Sequence, residues 1–162
     1  MMGAAGPGPV IMDLAVPADV PELVRVVNAA YLVEQFFVAG DRTDTETVER
    51  LMQKGAFLVE RDDAGALGGC VYVERRGSRG YFGMLAVDPV RQGTGLGRRL
   101  VEAAEQYVRD GGARAMDIRV VNLRTELPPF YERLGYVESG TEAVEEPRAL
   151  RPFHFIVMSK AL

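Results

Sequence analysis

The chain is short of the residues that several common chemistries require. Its one cysteine, Cys70, can form no internal disulfide, which excludes a disulfide scaffold and reads as cytoplasmic. Its one histidine, His154, makes no metal site by itself. No apolar run approaches the length of a membrane span, and the N-terminus lacks the charged-then-apolar pattern of a signal peptide. Positive charge is not in excess either: 19 Lys and Arg face 23 Asp and Glu, a formal net charge of -4. Nucleic-acid binding demands a basic face, so that role is disfavoured. The sign leans modestly toward cationic partners such as amines.

What is present is an ordinary globular balance. The 162 residues are 48% apolar and 26% charged, a size suited to one core. Residues 1–9 are mostly Gly, Ala and Pro without apolar period, which predicts a flexible tail ahead of a single domain over residues 10–162.

Periodicity then gives alternating element types. Val10 to Leu14 reads as a strand. Asp19 and Glu22 resemble a capping box for a helix with Val20, Leu23, Val24, Val27 and Tyr31 inward. A second helix is expected over Thr45 to Lys54, capped by Asp44 and stopped by Gly55. Ala56 to Glu60 and Leu67 to Glu74 read as strands, and Gly77 to Gly80 as a turn into the strand Tyr81 to Val87. Leu96, Leu100, Val101, Ala104, Tyr107 and Val108 make one face of a long helix ended by Gly111. Met116, Ile118 and Val120 alternate as a half-buried strand would. Thr125 to Leu134 holds a short helix, and Phe153, Phe155 and Val157 complete the sheet. The order β-α-α-β-β-β-α-β-α-β-β predicts an α/β class, a mixed sheet flanked by helices.

The most informative stretch is Val87 to Arg99, with Gly93, Gly95 and Gly97 between a strand and a helix. Glycines there admit positive φ and a close ligand, and the helix start aims unpaired N–H groups and its dipole into the same space. That is an anion site, most often for phosphate. It is not a P-loop, because Arg98 and Arg99 follow Gly97 where Lys and a hydroxyl are needed. It is not a dinucleotide fingerprint, because the spacing is wrong and the next strand ends Val120-Val121-Asn122 without an acid.

Gln92-x-x-Gly95-x-Gly97 resembles the Q/R-x-x-G-x-G/A motif of the GNAT superfamily of acyl-CoA-dependent N-acyltransferases. Tyr81 to Pro89 looks like its central strand, Phe130-Tyr131-Glu132-Arg133-Leu134-Gly135-Tyr136 like its second signature, and Asn122 lies between. The resemblance implies a GNAT-like fold, a mostly antiparallel sheet of about six or seven strands flanked by about four helices. It implies an N-acetyltransferase that moves an acetyl group from acetyl-CoA, as co-substrate, to a primary amine by direct attack in a ternary complex. No metal is called for. The acceptor could be a small molecule or a protein amine. Homodimers are common among proteins like it. The competing reading is a non-catalytic acyl-CoA sensor.

By the same resemblance, Gln92, Gly93, Thr94, Gly95, Leu96, Gly97 and Arg98 cradle the pyrophosphate through backbone N–H groups. Leu85, Ala86 and Val87 pair with the pantetheine arm, and an amide near Leu85 polarises the thioester carbonyl. Tyr131 is the acid for the departing thiolate, the alternative being a buried tyrosine that only packs a short helix. Asn122 either bonds pantetheine or fixes the strand end. Relatives often carry a carboxylate base on the central strand, yet Arg79 to Val87 has none; Glu34, Glu74 and Glu126 are candidates and none is assigned. Glu126-Leu127-Pro128-Pro129 is a longer, stiffer approach to Tyr131 than many relatives show. Tyr31, Phe36 and Phe37 either line the acceptor pocket or belong to the core, and Cys70 reads as core.

Overall fold

Runs rich in Val, Tyr and Phe suit a pleated surface, and in the computed structural model, which describes residues 12–162, they assemble into one seven-stranded sheet. Chain order is β1 (Met12–Leu14), α1 (Val20–Ala30), α2 (Thr45–Lys54), β2 (Ala56–Arg61), β3 (Leu67–Arg76), β4 (Arg79–Val87), α3 (Leu96–Asp110), β5 (Ala115–Val121), α4 (Leu127–Arg133), β6 (Val137–Ala143) and β7 (His154–Ala161). This is the order of element types expected from periodicity. Across the sheet the strands lie β1-β2-β3-β4-β5-β7-β6. All pairings are antiparallel except β4 with β5, which run parallel because α3 carries the chain back between them. The expected tail, with Val10 and Ile11 of the expected first strand, lies outside the described residues.

Each face of the sheet buries its own set of side chains. Leu58, Val73, Phe82, Met116, Ile118 and Val120 look toward α3 and α4. Phe57, Val59, Cys70 and Tyr72 look toward α1 and α2. Leu23 and Leu100 are fully enclosed, and each such side chain stabilises by about 1.5–3 kcal/mol relative to exposure. α2 is capped as expected, Asp44 Oδ1 accepting the Thr47 N–H at 2.8 Å.

Four local expectations need correction. Asp19 does not cap α1: it reaches back to accept the Val16 N–H at 2.8 Å and binds Arg61 of β2, while Glu22 pairs with Arg25. Val24 is only half-buried and Val26, on the same side as Leu23, is enclosed. Gly80 belongs to β4 and not to the turn, paired with Arg75 and pressed against α3 so closely that a Cβ would stand 2.6 Å from Val108 Cγ1. The short helix lies within the expected stretch, at Leu127–Arg133, with Pro128 and Pro129, which lack an N–H, in its first turn. At the other end of the chain Phe153 precedes β7 and turns its ring onto Phe37, centroids 5.2 Å apart.

Candidate active site

The site begins as a failure of pairing. β4 and β5 are joined only from Arg79–Tyr81 to Ala115–Asp117, and beyond Tyr81 the strands part. On its other side β4 stays bonded to β3, but with one residue too many: Tyr72 faces Gly83 and Cys70 faces Ala86, so Val71 alone opposes Met84 and Leu85. Met84 takes up the extra residue at φ 49, a value uncommon outside glycine. The bulge reverses the alternation of the strand. Phe82 faces α3, and without the bulge Met84 and Ala86 would follow it; instead both pack toward α1, and Leu85 and Val87 turn to the α3 side.

The slot left between the strands is a cavity of about 210 Å³, walled by residues including Tyr81, Met84, Ile118, Val120 and Tyr131. It communicates with an open trough of about 460 Å³ along Leu85, Val87, Gln92, Gly97, Phe130 and Tyr131. The trough leads in turn to a shallow hollow bounded by Gly93, Gly95, Gly97 and Arg98. Cavity, trough and hollow share walls, so one elongated ligand can span them.

The loop at the far end is held by its flanks. Asp88 Oδ1 accepts the Val90 N–H at 3.1 Å, and Arg91 is tied to Glu60 and Asp62 of the β2–β3 hairpin. Gly93 and Gly95 take φ of 84 and 79, the left-handed region that glycine enters freely. Thr94 is occupied in holding the turn, its hydroxyl donating to the Arg91 carbonyl at 2.7 Å. The first backbone bond back along α3 is Arg99 N–H to Gly95 O at 3.2 Å. Among the described residues the amides of Gly93 to Arg98 therefore have no carbonyl partner and gather at the positive end of a fifteen-residue helix. Leu96 contributes only its amide, its side chain being buried. The Arg98 side chain pairs with Glu102 at 3.0 Å in the open, a weak contact.

Tyr131 sits where trough and cavity meet. Its ring packs edge-on against Phe130 (5.0 Å) and lies 6.0 Å from both Phe82 and Tyr136. Its hydroxyl makes no hydrogen bond among the described residues, and burial pushes it well above the ordinary tyrosine range, so the group stays protonated. Asn122 is elsewhere: its Oδ1 accepts the His154 N–H at 2.9 Å and its own N–H donates to His154 O at 3.0 Å, closing the β5–β7 ladder. It is not a wall of the cavity or the trough.

The opposite end of the slot is roofed by two loops. Tyr31 follows α1 and touches cavity and trough alike. Burial raises its hydroxyl to about 12. Glu34 stands beside it, one oxygen accepting Arg124 Nη1 at 2.8 Å, and burial raises its carboxyl against the pull of Arg124. The same Arg124 binds Glu126 in front of α4. The segment after Glu34 is laced to the β6–β7 connection: Ala39 N–H to Arg148 O at 3.0 Å, and Leu150 N–H to Phe37 O at 2.7 Å. Beneath this seam lies a second compartment of about 150 Å³. Phe37 is enclosed and Phe36 exposed, so only the former supports the roof.

Of the carboxylates Glu34, Glu74 and Glu126, Glu34 alone borders the cavity between the strands. Glu126 lies along the trough, and Glu74 is engaged by the Tyr72 hydroxyl and Arg76. Cys70 is fully buried, its thiol raised to about 12 by desolvation, with Sγ 3.8 Å from Met84 O. Sequence reasoning passed over Arg42 and Arg124. Both lie in aperiodic loops, and the Glu34 partner of Arg124 is ninety residues away, so no local pattern marks either.

Comparison with known proteins agrees with this architecture. The model of the acetyltransferase (GNAT) domain matches residues 28–155. The chain is 30% identical over 135 residues to a mycothiol acetyltransferase of Propionibacterium freudenreichii subsp. shermanii, covering 80% of this chain and 43% of that protein. It is 29% identical over 142 residues to glucosamine 6-phosphate N-acetyltransferase 1 of Oryza sativa subsp. japonica, covering 88% and 74%. The chain thus spans less than half the length of the first of these relatives. In structure it is similar to a Salmonella typhimurium protein solved with its cofactor acetyl-CoA, at TM-score 0.73 and 19% identity over 96% of this chain and 95% of that one. The bulged central strand, the glycine turn into α3 and the domain match together identify the chain as a member of the GNAT acetyltransferase family.

Proposed function

We propose that this protein is an N-acetyltransferase that moves the acetyl group of acetyl-CoA to a primary amine by direct attack within a ternary complex. The observation that carries the reading is the continuous path from the amides of Gly93 to Arg98, along the free edge of β4, to the Tyr131 hydroxyl. Acetyl-CoA fits the residues present. Its pyrophosphate requires donors without bulk, and the space above Gly93 is open, nothing lying within 4 Å of a Cβ built there. Its pantetheine arm is a chain of amides, and the β4 edge from Phe82 to Val87 has no β5 partner to satisfy it.

Each residue then has a task. Gln92, Gly93, Thr94, Gly95, Leu96, Gly97 and Arg98 hold the pyrophosphate end. Leu85, Ala86 and Val87 align the arm through their main chain, and the amide near Leu85 donates to the carbonyl oxygen as charge gathers on it. The amine attacks in its neutral form. As the C–S bond breaks, Tyr131, kept protonated by burial, gives its proton to the departing sulfur and regains the one that the new amide nitrogen sheds. Asn122 holds the strand ends that shape the slot. No covalent intermediate on the protein is invoked, and the one cysteine, Cys70, is sealed in the core.

The test is calorimetric titration with acetyl-CoA followed by thiol release against a panel of amines. Binding with release supports the reading. Binding without release on any amine points to a sensor, and absence of binding overturns the proposal. Gly95→Glu, which sets a side chain and a negative charge into the anion hollow at a positive φ, is expected to abolish binding.

A further inference from the structure

We propose that the roofed end of the slot takes a compact amine that also carries an anionic group, its ammonium held by Glu34 and its anion by Arg42. The inference rests on the acyl-transfer reading and adds the class of acceptor.

The charges at this end are mostly spoken for. Three arginines border the two compartments. Arg119 is paired with Glu142 at 2.9 Å. Arg148 is paired with Glu146 at 3.2 Å and donates to Asp41 O at 2.8 Å. Arg42 has neither a carboxylate nor a hydrogen-bond acceptor among the described residues; its guanidinium rests over the Tyr31 ring, 5.3 Å from the centroid. A guanidinium fixed by an aromatic face with its donors free is suited to a carboxylate or a phosphate.

Glu34 supplies the opposite charge. Arg124 occupies Oε2, and Oε1 has no partner among the described residues. Glu34 and Arg42 are walls of both compartments, so a single ligand can meet both. Size sets the rest. The compartments measure about 210 and 150 Å³, and Val38, bridged to Ala149, walls the smaller one. Compartments of these volumes suit a small molecule that carries both charges.

The experiment titrates wild-type protein with CoA, then titrates the CoA-saturated protein with matched pairs of amines. One pair is an amino acid and its amide; the other is an aminoalkyl phosphate and the corresponding amino alcohol. The anionic member is expected to bind about 10- to 100-fold more tightly, the range for one charge-assisted contact. The pair with the larger preference tells whether carboxylate or phosphate is the natural group. Arg42→Ala is expected to bring the anionic member down to the affinity of its neutral partner; Arg42 is exposed, so the change does not reach the core. Equal binding within both pairs, a preference that survives Arg42→Ala, or no binding of either anionic amine overturns the inference while leaving the donor site standing. Failure to bind CoA removes the acyl-transfer reading instead, and the anion preference is then read on the protein alone.

Discussion

Arg124 Nη1 donates to Glu34 Oε2 at 2.8 Å, binding the turn after α1 to the loop after β5 across the mouth of the slot. Both side chains are largely shielded, at 16% and 12% exposure. Removing the arginine strands a carboxylate where water is scarce. Arg124→Ala is expected to cost about 2 kcal/mol, read by urea denaturation. Arg124→Lys should recover only part, because a single ammonium cannot serve Glu34 and Glu126 as the guanidinium fork does. Unchanged stability in the alanine variant would mean that the roof is held by its backbone seam alone.

Tyr131→Phe separates chemistry from packing. The ring contacts with Phe82, Phe130 and Tyr136 remain, and the lost hydroxyl has no hydrogen-bond partner among the described residues. Stability should therefore stay level or rise slightly. Turnover should fall about 100-fold, the lower end for loss of a positioned acid, with the affinity for acetyl-CoA unaltered. A variant that loses stability and keeps its turnover would make Tyr131 a packing residue.

Gly80→Ala tests the approach of α3 to β4. A Cβ would stand 2.6 Å from Val108 Cγ1, on a side chain too short and branched to swing clear. The expected cost is about 1–3 kcal/mol. Adding Val108→Ala should relieve much of it, giving a coupling energy in a double-mutant cycle. Strictly additive effects would show that the sheet can move away from the helix freely.

The acid side of the stability curve should carry the mark of Asp19. Its hydrogen bonds from Arg61 hold the carboxyl below its ordinary value. A depressed value in the folded state stabilises above the unfolded value, about 3.9, and that contribution fades as the pH falls through the lower folded one. Asp19→Asn should thus be less stable than wild type at neutral pH and equal to it in strong acid. A difference constant across the range would assign the effect to packing.

Much of this was legible in the residues because local chemistry wrote it there. The alternation Met116, Ile118, Val120 and the helical face from Leu96 to Val108 each report burial directly. The glycines at 93 and 95 mark positive φ, and the family motif around them is recognisable without a structure. Asn122 was open between two roles, and the His154 bonds put its side chain at the strand end. What the sequence hid was of another kind. A bulge at Met84 has no glycine to announce it, and its partner Val71 is known only once two strands are in register. Gly80 looked like a turn residue beside Gly77 and Ser78, since the helix that needs its bare Cα arrives later in the chain. Arg42 and Arg124 acquire meaning only from residues brought near by the fold.

The parting of β4 from β5 has a consequence for how the molecule meets its own kind. A strand with unsatisfied main-chain groups on the rim of a sheet invites another copy to dock there, and repeated docking builds aggregates. Here a length of such backbone sits in the middle of the sheet, with strands on both sides and a roof above one end. Only something as thin as one extended chain can reach it. The fold thus keeps a sticky surface ready for a slender guest while denying it to a sibling.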